Sequence, residues 1–121
     1  MKKSSITFAS GAPNPSDPKV CDIDAQELAG KIDLVHLIDV RRPDEFTGDL
    51  GHIAGSKLIV LDTIPDHVAE FPIDEPIVFV CRSGGRSANA ASFASQKGCQ
   101  QVFNVRGGML QWNQLGLPVV R

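Results

Sequence analysis

The chain has 121 residues, 42% hydrophobic and 21% charged, the balance of one globular domain rather than a disordered, collagen-like or disulfide-built one. Its net charge of −2 offers no electrostatic footprint for nucleic acid. No apolar run approaches the ~18 residues that span a bilayer, and the opening lysines lack the apolar stretch of a secretory signal.

Residues 10–18, SGAPNPSDP, hold three prolines and no apolar periodicity. Residues 1–18 therefore read as a flexible leader before a domain at 19–121. Residues 19–23 form a short predicted strand. Asp24 then suits a helix N-cap with Glu27 as its reciprocal partner, and Gly30 suits a left-handed stop. The run LVHLI at 34–38 predicts a buried strand in which His36 is a core or edge histidine rather than a catalyst. Pro43 fits the first turn of a short helix, where its missing N–H costs nothing. Gly48, Gly51 and Gly55 punctuate a loop in which His52 is expected to shape the turn.

A short strand over 57–60 and a helix over 62–71 follow, with Pro65 tolerable only near the helix start. The run IVFV at 77–80 is apolar and almost wholly β-branched or aromatic, which predicts a central strand covered on both faces. An alanine- and serine-rich helix over 88–97 comes next. Ala90, Ala91 and Ala94 lie on one face of it, small enough to approach a sheet closely. A fifth strand over 102–105, a Gly107-Gly108 turn and a last helix holding Met109, Leu110, Trp112 and Leu115 complete the chain. Strands alternating with helices predict an α/β domain with a central, largely parallel five-stranded sheet flanked by helices.

The informative segment is Cys81-Arg82-Ser83-Gly84-Gly85-Arg86-Ser87. The cysteine stands where a buried strand ends, the end at which open α/β sheets collect ligands. Gly84 and Gly85 allow the loop to curl until successive N–H groups face one centre, a nest for an anion. Arg82 and Arg86 add guanidinium donors. The same positive elements favour a thiolate, so Cys81 is the candidate nucleophile. Loops of this kind serve sulfur and phosphoryl chemistry, including Cys-dependent phosphatases and arsenate reductases. Only four residues separate Cys81 from Arg86, one fewer than in the phosphatase pattern, and this tighter nest ranks attack at sulfur first.

Three segments in order carry a family resemblance: LIDVRRPDEF with GHIAGS (37–46 and 51–56), CRSGGRS (81–87) and NVRGGMLQWNQLGLPV (104–119). Together they resemble a single-domain rhodanese, a sulfurtransferase. The link at 47–50 is slightly longer than in many members. The resemblance implies that Cys81 takes a sulfane sulfur from thiosulfate or a similar donor as a persulfide. It then passes that sulfur to cyanide, a small thiol or a protein thiol. A persulfide carrier serving a protein partner is the other reading of the same loop.

Substrate binding falls to Arg82, Ser83, Gly84, Gly85 and Arg86. Asp39 and Arg41, from the DVR element, are expected to form a charged pair near the loop, and Ser87 to cap the helix or bond within the loop. Arg106 is a weaker candidate for facing the pocket, and Trp112 reads as core. Cys21 and Cys99 read as bystanders, not favoured as resolving cysteines. No metal or organic cofactor is implied, the partners are small sulfur compounds or a protein thiol rather than nucleic acid or membrane, and the expected compartment is the reducing cytoplasm.

Overall fold

The computed structural model describes residues 2–121. Six strands form one mixed sheet: β1 (Ala12–Pro13), β2 (Cys21–Ile23), β3 (His36–Asp39), β4 (Lys57–Leu58), β5 (Ile77–Val80) and β6 (Val102–Val105). Their spatial order is β1-β2-β6-β5-β3-β4. Every neighbouring pair is parallel except β1 with β2. The helices are α1 (Ala25–Ala29), α2 (Pro43–Phe46), α3 (Ile64–His67), α4 (Gly85–Gln96) and α5 (Gly108–Gln114). The α/β class with a mostly parallel sheet is as expected, but there are six strands rather than five.

The pleat explains the layering. Ile77 and Phe79 of β5 join one core cluster, Val78 and Val80 the other, because successive strand residues point to opposite faces. The first face is covered by α4 through Ala90, Ala91 and Ala94 and by Ile64 of α3. The second is covered by Ala25 and Leu28 of α1 and by Met109 and Trp112 of α5. Burying each large apolar side chain contributes roughly 1.5–3 kcal/mol before the entropy of ordering is subtracted. A strand with no polar residue is stable only in such a doubly covered place, and β5 lies between β3 and β6.

The segment read as a leader is laid against the domain. Phe8 is buried and meets Phe103 edge-on, with ring centroids 5.1 Å apart. β1 pairs with β2 at the sheet edge, a place where Pro13 is tolerated because no further strand needs its N–H. The tether is Glu27. Its carboxylate accepts from Lys31 Nζ at 2.8 Å, from the Ser10 hydroxyl, and from the N–H groups of Ala9 and Ser10 at 2.7 and 2.8 Å. These bonds, the one from Lys31 foremost, hold its carboxyl down to about 2. Glu27 is thereby unavailable for the expected reciprocal cap, and the Asp24 N–H donates to Ser10 Oγ instead.

Three other local expectations change. Gly30 closes α1 at φ −86°, outside the left-handed region. The strand expected from residue 34 begins at His36, after a 3-10 turn over Ile32–Leu34. The helix expected over 62–71 is one α-turn, α3, between 3-10 turns at Leu61–Thr63 and Val68–Glu70. Among the described residues, no helix is long and apolar enough to cross a membrane.

Candidate active site

Parallel strands deliver their C-terminal ends to one edge of the sheet, and the loops leaving β3, β5 and β6 meet there. Cys81 follows β5 directly and is 1% exposed, on the same face as Ile77, Phe79 and α4. Its Sγ accepts a hydrogen bond from the Gly84 N–H at 3.1 Å and has Ser87 Oγ at 3.2 Å.

The loop's polarity is set by α5. The N–H groups of Met109 and Leu110 donate to the carbonyls of Cys81 and Arg82 at 2.8 and 3.0 Å, using two of the donors that a helix start leaves free. With those carbonyls turned toward α5, the loop's own N–H groups face the other way. Among the described residues, the amides of Arg82, Ser83, Gly85 and Arg86 have no protein acceptor outside regular structure. This approach requires glycine at 108, since a Cβ there would stand 2.4 Å from the Cys81 carbonyl oxygen.

The paired loop glycines are not equivalent. Gly84 sits at φ +110°, a left-handed conformation that excludes most side chains. Gly85 is already the first residue of α4, and nothing lies within 4 Å of where its Cβ would be. The helix thus starts at Gly85, which places Arg86 and Ser87 in its first turn.

The two arginines expected to supply guanidinium donors differ in their surroundings. Arg86 is engaged by Glu45 of α2 in a two-pronged pair, Nη1 to Oε1 at 2.7 Å and Nη2 to Oε2 at 2.9 Å. That pair, opposed by burial and helped by the Arg42 N–H, holds the Glu45 carboxyl down to about 2. Arg86 therefore ties the loop to α2. Arg82 remains exposed and lines a 300 Å³ depression with Arg41, Glu45 and Leu50. Ser83 is exposed in the loop beside it.

Asp39 and Arg41 form a fully buried pair, Nε to Oδ1 at 2.9 Å and Nη2 to Oδ2 at 2.8 Å. Arg41 also donates to the carbonyls of Glu45 and Gly51. The pair fastens the segment bearing Glu45 to the end of β3. His52 stacks on Phe46 with centroids 3.6 Å apart, and its Nδ1 lies 2.8 Å from the Phe46 carbonyl. It shapes the turn.

Arg106 points away from the Cys81 loop, pairing with Asp24 and donating to the carbonyls of Ser10 and Asp22. Trp112 is core, its Nε1 donating to the Pro118 carbonyl at 2.9 Å. Cys21 and Cys99 are free, and burial pushes both thiols up. Among the described residues no cluster of three or more His, Cys, Asp or Glu could hold a metal ion. A cavity of 450 Å³ opens at the other end of β3 and β5 around His36, Lys57 and Phe71.

Residues that sequence reasoning left without a role are Glu45, Asn104 and Asp22. Glu45 stood within the quoted PDEF segment, but only folding brings it to Arg86. Asn104 interrupts the apolar run VFNV, and a polar residue at a buried strand position is a signal that something must pair with it.

A family model for the rhodanese-like domain matches residues 24–115. The chain belongs to the rhodanese-like family. It is 36% identical over 104 residues to a protein of Allochromatium vinosum named "Sulfurtransferase", covering 84% of this chain and 95% of that one. It is 34% identical over 79 residues to the thiosulfate sulfurtransferase GlpE of Pseudomonas aeruginosa, covering 65% and 70% respectively. A crystal structure of a rhodanese-related protein from Thermoplasma volcanium superposes with a TM-score of 0.74 at 34% identity, covering 82% of this chain and 96% of that one.

Proposed function

We propose that this rhodanese-like protein is a sulfurtransferase that carries a sulfane sulfur as a persulfide on Cys81. The observation that supports it best is the Cys81 loop itself: α5 holds its carbonyls, Gly84 donates to Sγ, and four further loop amides are left to face a bound sulfur. In the first step the Cys81 thiolate attacks the outer sulfur of thiosulfate or a similar donor. The donor's S–S bond breaks, and sulfite leaves with the electron pair. Negative charge on the outer sulfur of the persulfide then lies against preorganised N–H dipoles, which need no reorganisation at the moment of transfer. In the second step a nucleophilic acceptor (cyanide, a small thiol or a protein thiol) takes that sulfur, and Cys81 departs as thiolate.

Arg82, exposed at the rim, is the guanidinium best placed to draw in an anionic donor. Arg86 and Glu45 keep the loop closed. The four-residue spacing between Cys81 and Arg86 supports chemistry at sulfur over phosphoryl transfer, for which a wider nest is needed. Mass spectrometry before and after thiosulfate exposure tests the reading. The wild type is expected to gain the mass of one sulfur on Cys81 and to lose it to cyanide, whereas Cys81→Ser gains nothing. A wild type that neither loads sulfur nor forms product refutes it.

A further inference from the structure

The register of the sheet sets Asp22 of β2 directly opposite Asn104 of β6, on the face that carries Cys81 and α4. A buried polar chain runs from there to the sulfur. Asp22 Oδ1 accepts from Asn104 Nδ2 at 3.1 Å and from Asn14 Nδ2 at 3.0 Å. Asn14 Oδ1 in turn accepts the N–H groups of Ser16 and Asp17. A carboxylate can only accept, so Asp22 fixes the Asn104 amide with its nitrogen outward and its oxygen toward Ser87. Ser87 is 0% exposed, and its hydroxyl lies in bonding range of both Asn104 Oδ1 and Cys81 Sγ.

We propose that Asn104 is a positioning residue that opposes ionisation of Cys81 by competing with its sulfur for the one proton of the Ser87 hydroxyl. With a thiol the chain closes: S–H donates to Ser87 Oγ, and Ser87 O–H donates to Asn104 Oδ1. With a thiolate two buried acceptors face one proton, and one of them goes short, at the cost of a lost hydrogen bond. A persulfide removes the conflict, because its inner sulfur is neutral and makes little demand on the hydroxyl. On the persulfide reading above, the chain therefore favours the sulfur-loaded state over the bare thiolate.

The other charged groups around Cys81 are Arg82 in the loop, the Arg86–Glu45 pair of α4 and α2, and the Asp39–Arg41 pair after β3. Around Asp22 they are Arg106 and Asp24. Among the described residues none of these bonds the Ser87 hydroxyl, so the competition runs through Asn104 alone.

The test is the pH dependence of Cys81 alkylation by iodoacetamide, mapped by peptide mass to separate it from Cys21 and Cys99. Asn104→Leu is expected to lower the midpoint by about one pH unit, the size of one hydrogen bond to a charged group. Placed on a Ser87→Ala background, the same substitution is expected to move it by less than about 0.3 units, since the shared proton is gone. An unchanged or raised midpoint in Asn104→Leu, or a full shift that persists without Ser87, overturns the proposal. If Asn104→Leu does not fold by circular dichroism, Asn104→Val is read in the same way. Alkylation needs no sulfur donor, so failure here is distinct from failure to load sulfur from thiosulfate.

Discussion

Two glycines within reach of Cys81 should respond in opposite ways to the same added methyl group. Gly108→Ala puts a non-glycine residue at φ +56°, which costs about 1–2 kcal/mol. Its Cβ would also fall 2.4 and 2.5 Å from the carbonyl oxygens of Cys81 and Arg82. These are backbone atoms and cannot swing aside, so α5 must withdraw. The N–H donations from Met109 and Leu110 are then weakened, at about 1 kcal/mol each. The expected total is about 3–4 kcal/mol of stability, together with slower sulfur loading, because the loop carbonyls are no longer held away from the nest. Gly85→Ala meets nothing within 4 Å and needs no left-handed backbone. It should be neutral or stabilise by about 0.5–1 kcal/mol through the unfolded state. Urea unfolding followed by Trp112 fluorescence, with the rate of sulfur gain at Cys81, measures both. A Gly108→Ala protein within about 1 kcal/mol of wild type and with unchanged loading would refute the account of the loop. Equal damage from Gly85→Ala would do the same.

Glu45→Gln should remove an acid-sensitive part of the stability. The folded Glu45 carboxyl lies at about 2 against an ordinary 4.5, so the Arg86 pair stabilises the fold above 4.5 and is lost as pH falls from 4.5 toward 2. The Arg86 side chain is 34% exposed, and water screens the pair to about 1 kcal/mol. Unfolding free energies of wild type and Glu45→Gln measured at pH 7 and pH 3 should converge on acidification, and a constant difference counts against the assignment. Arg41→Met should be far costlier, about 3–5 kcal/mol, because Asp39 would be left buried and unpaired. Thermal unfolding within a few degrees of wild type would show that the pair does not secure the α2 segment.

Much of the fold was readable in the residues because the strong signals are local. IVFV can satisfy its side chains only inside a sheet, and the alanines of α4 mark a helix that must lie close. The edge was harder to read. β1 is two residues long and contains Pro13, so it has no periodicity to show, and its pairing is a property of β2. Helix boundaries shifted for similar reasons. Asp24 and Glu27 look like a reciprocal cap in isolation, but the arm competes for Glu27 with three donors, and the arm won.

The site divides in the same way. The sequence by itself determined the candidate nucleophile, the paired glycines beside it and the short spacing to Arg86, because Cys81, Gly84 and Arg86 are neighbours along the chain. It also determined that Asp39 and Arg41 could pair, two residues apart at a strand end. Tertiary structure alone decided where the charges go. Glu45 claims Arg86 across 41 positions, Arg106 turns to Asp24, and α5 reaches back to orient the loop carbonyls. The chain from Cys81 through Ser87 and Asn104 to Asp22 draws on four separate segments, the end of β5, α4, β6 and β2, and only strand register with the packing of α4 brings it together. Sequence carries the chemistry of each group, but the direction of a hydrogen bond and the competition for a proton depend on which groups the fold makes neighbours.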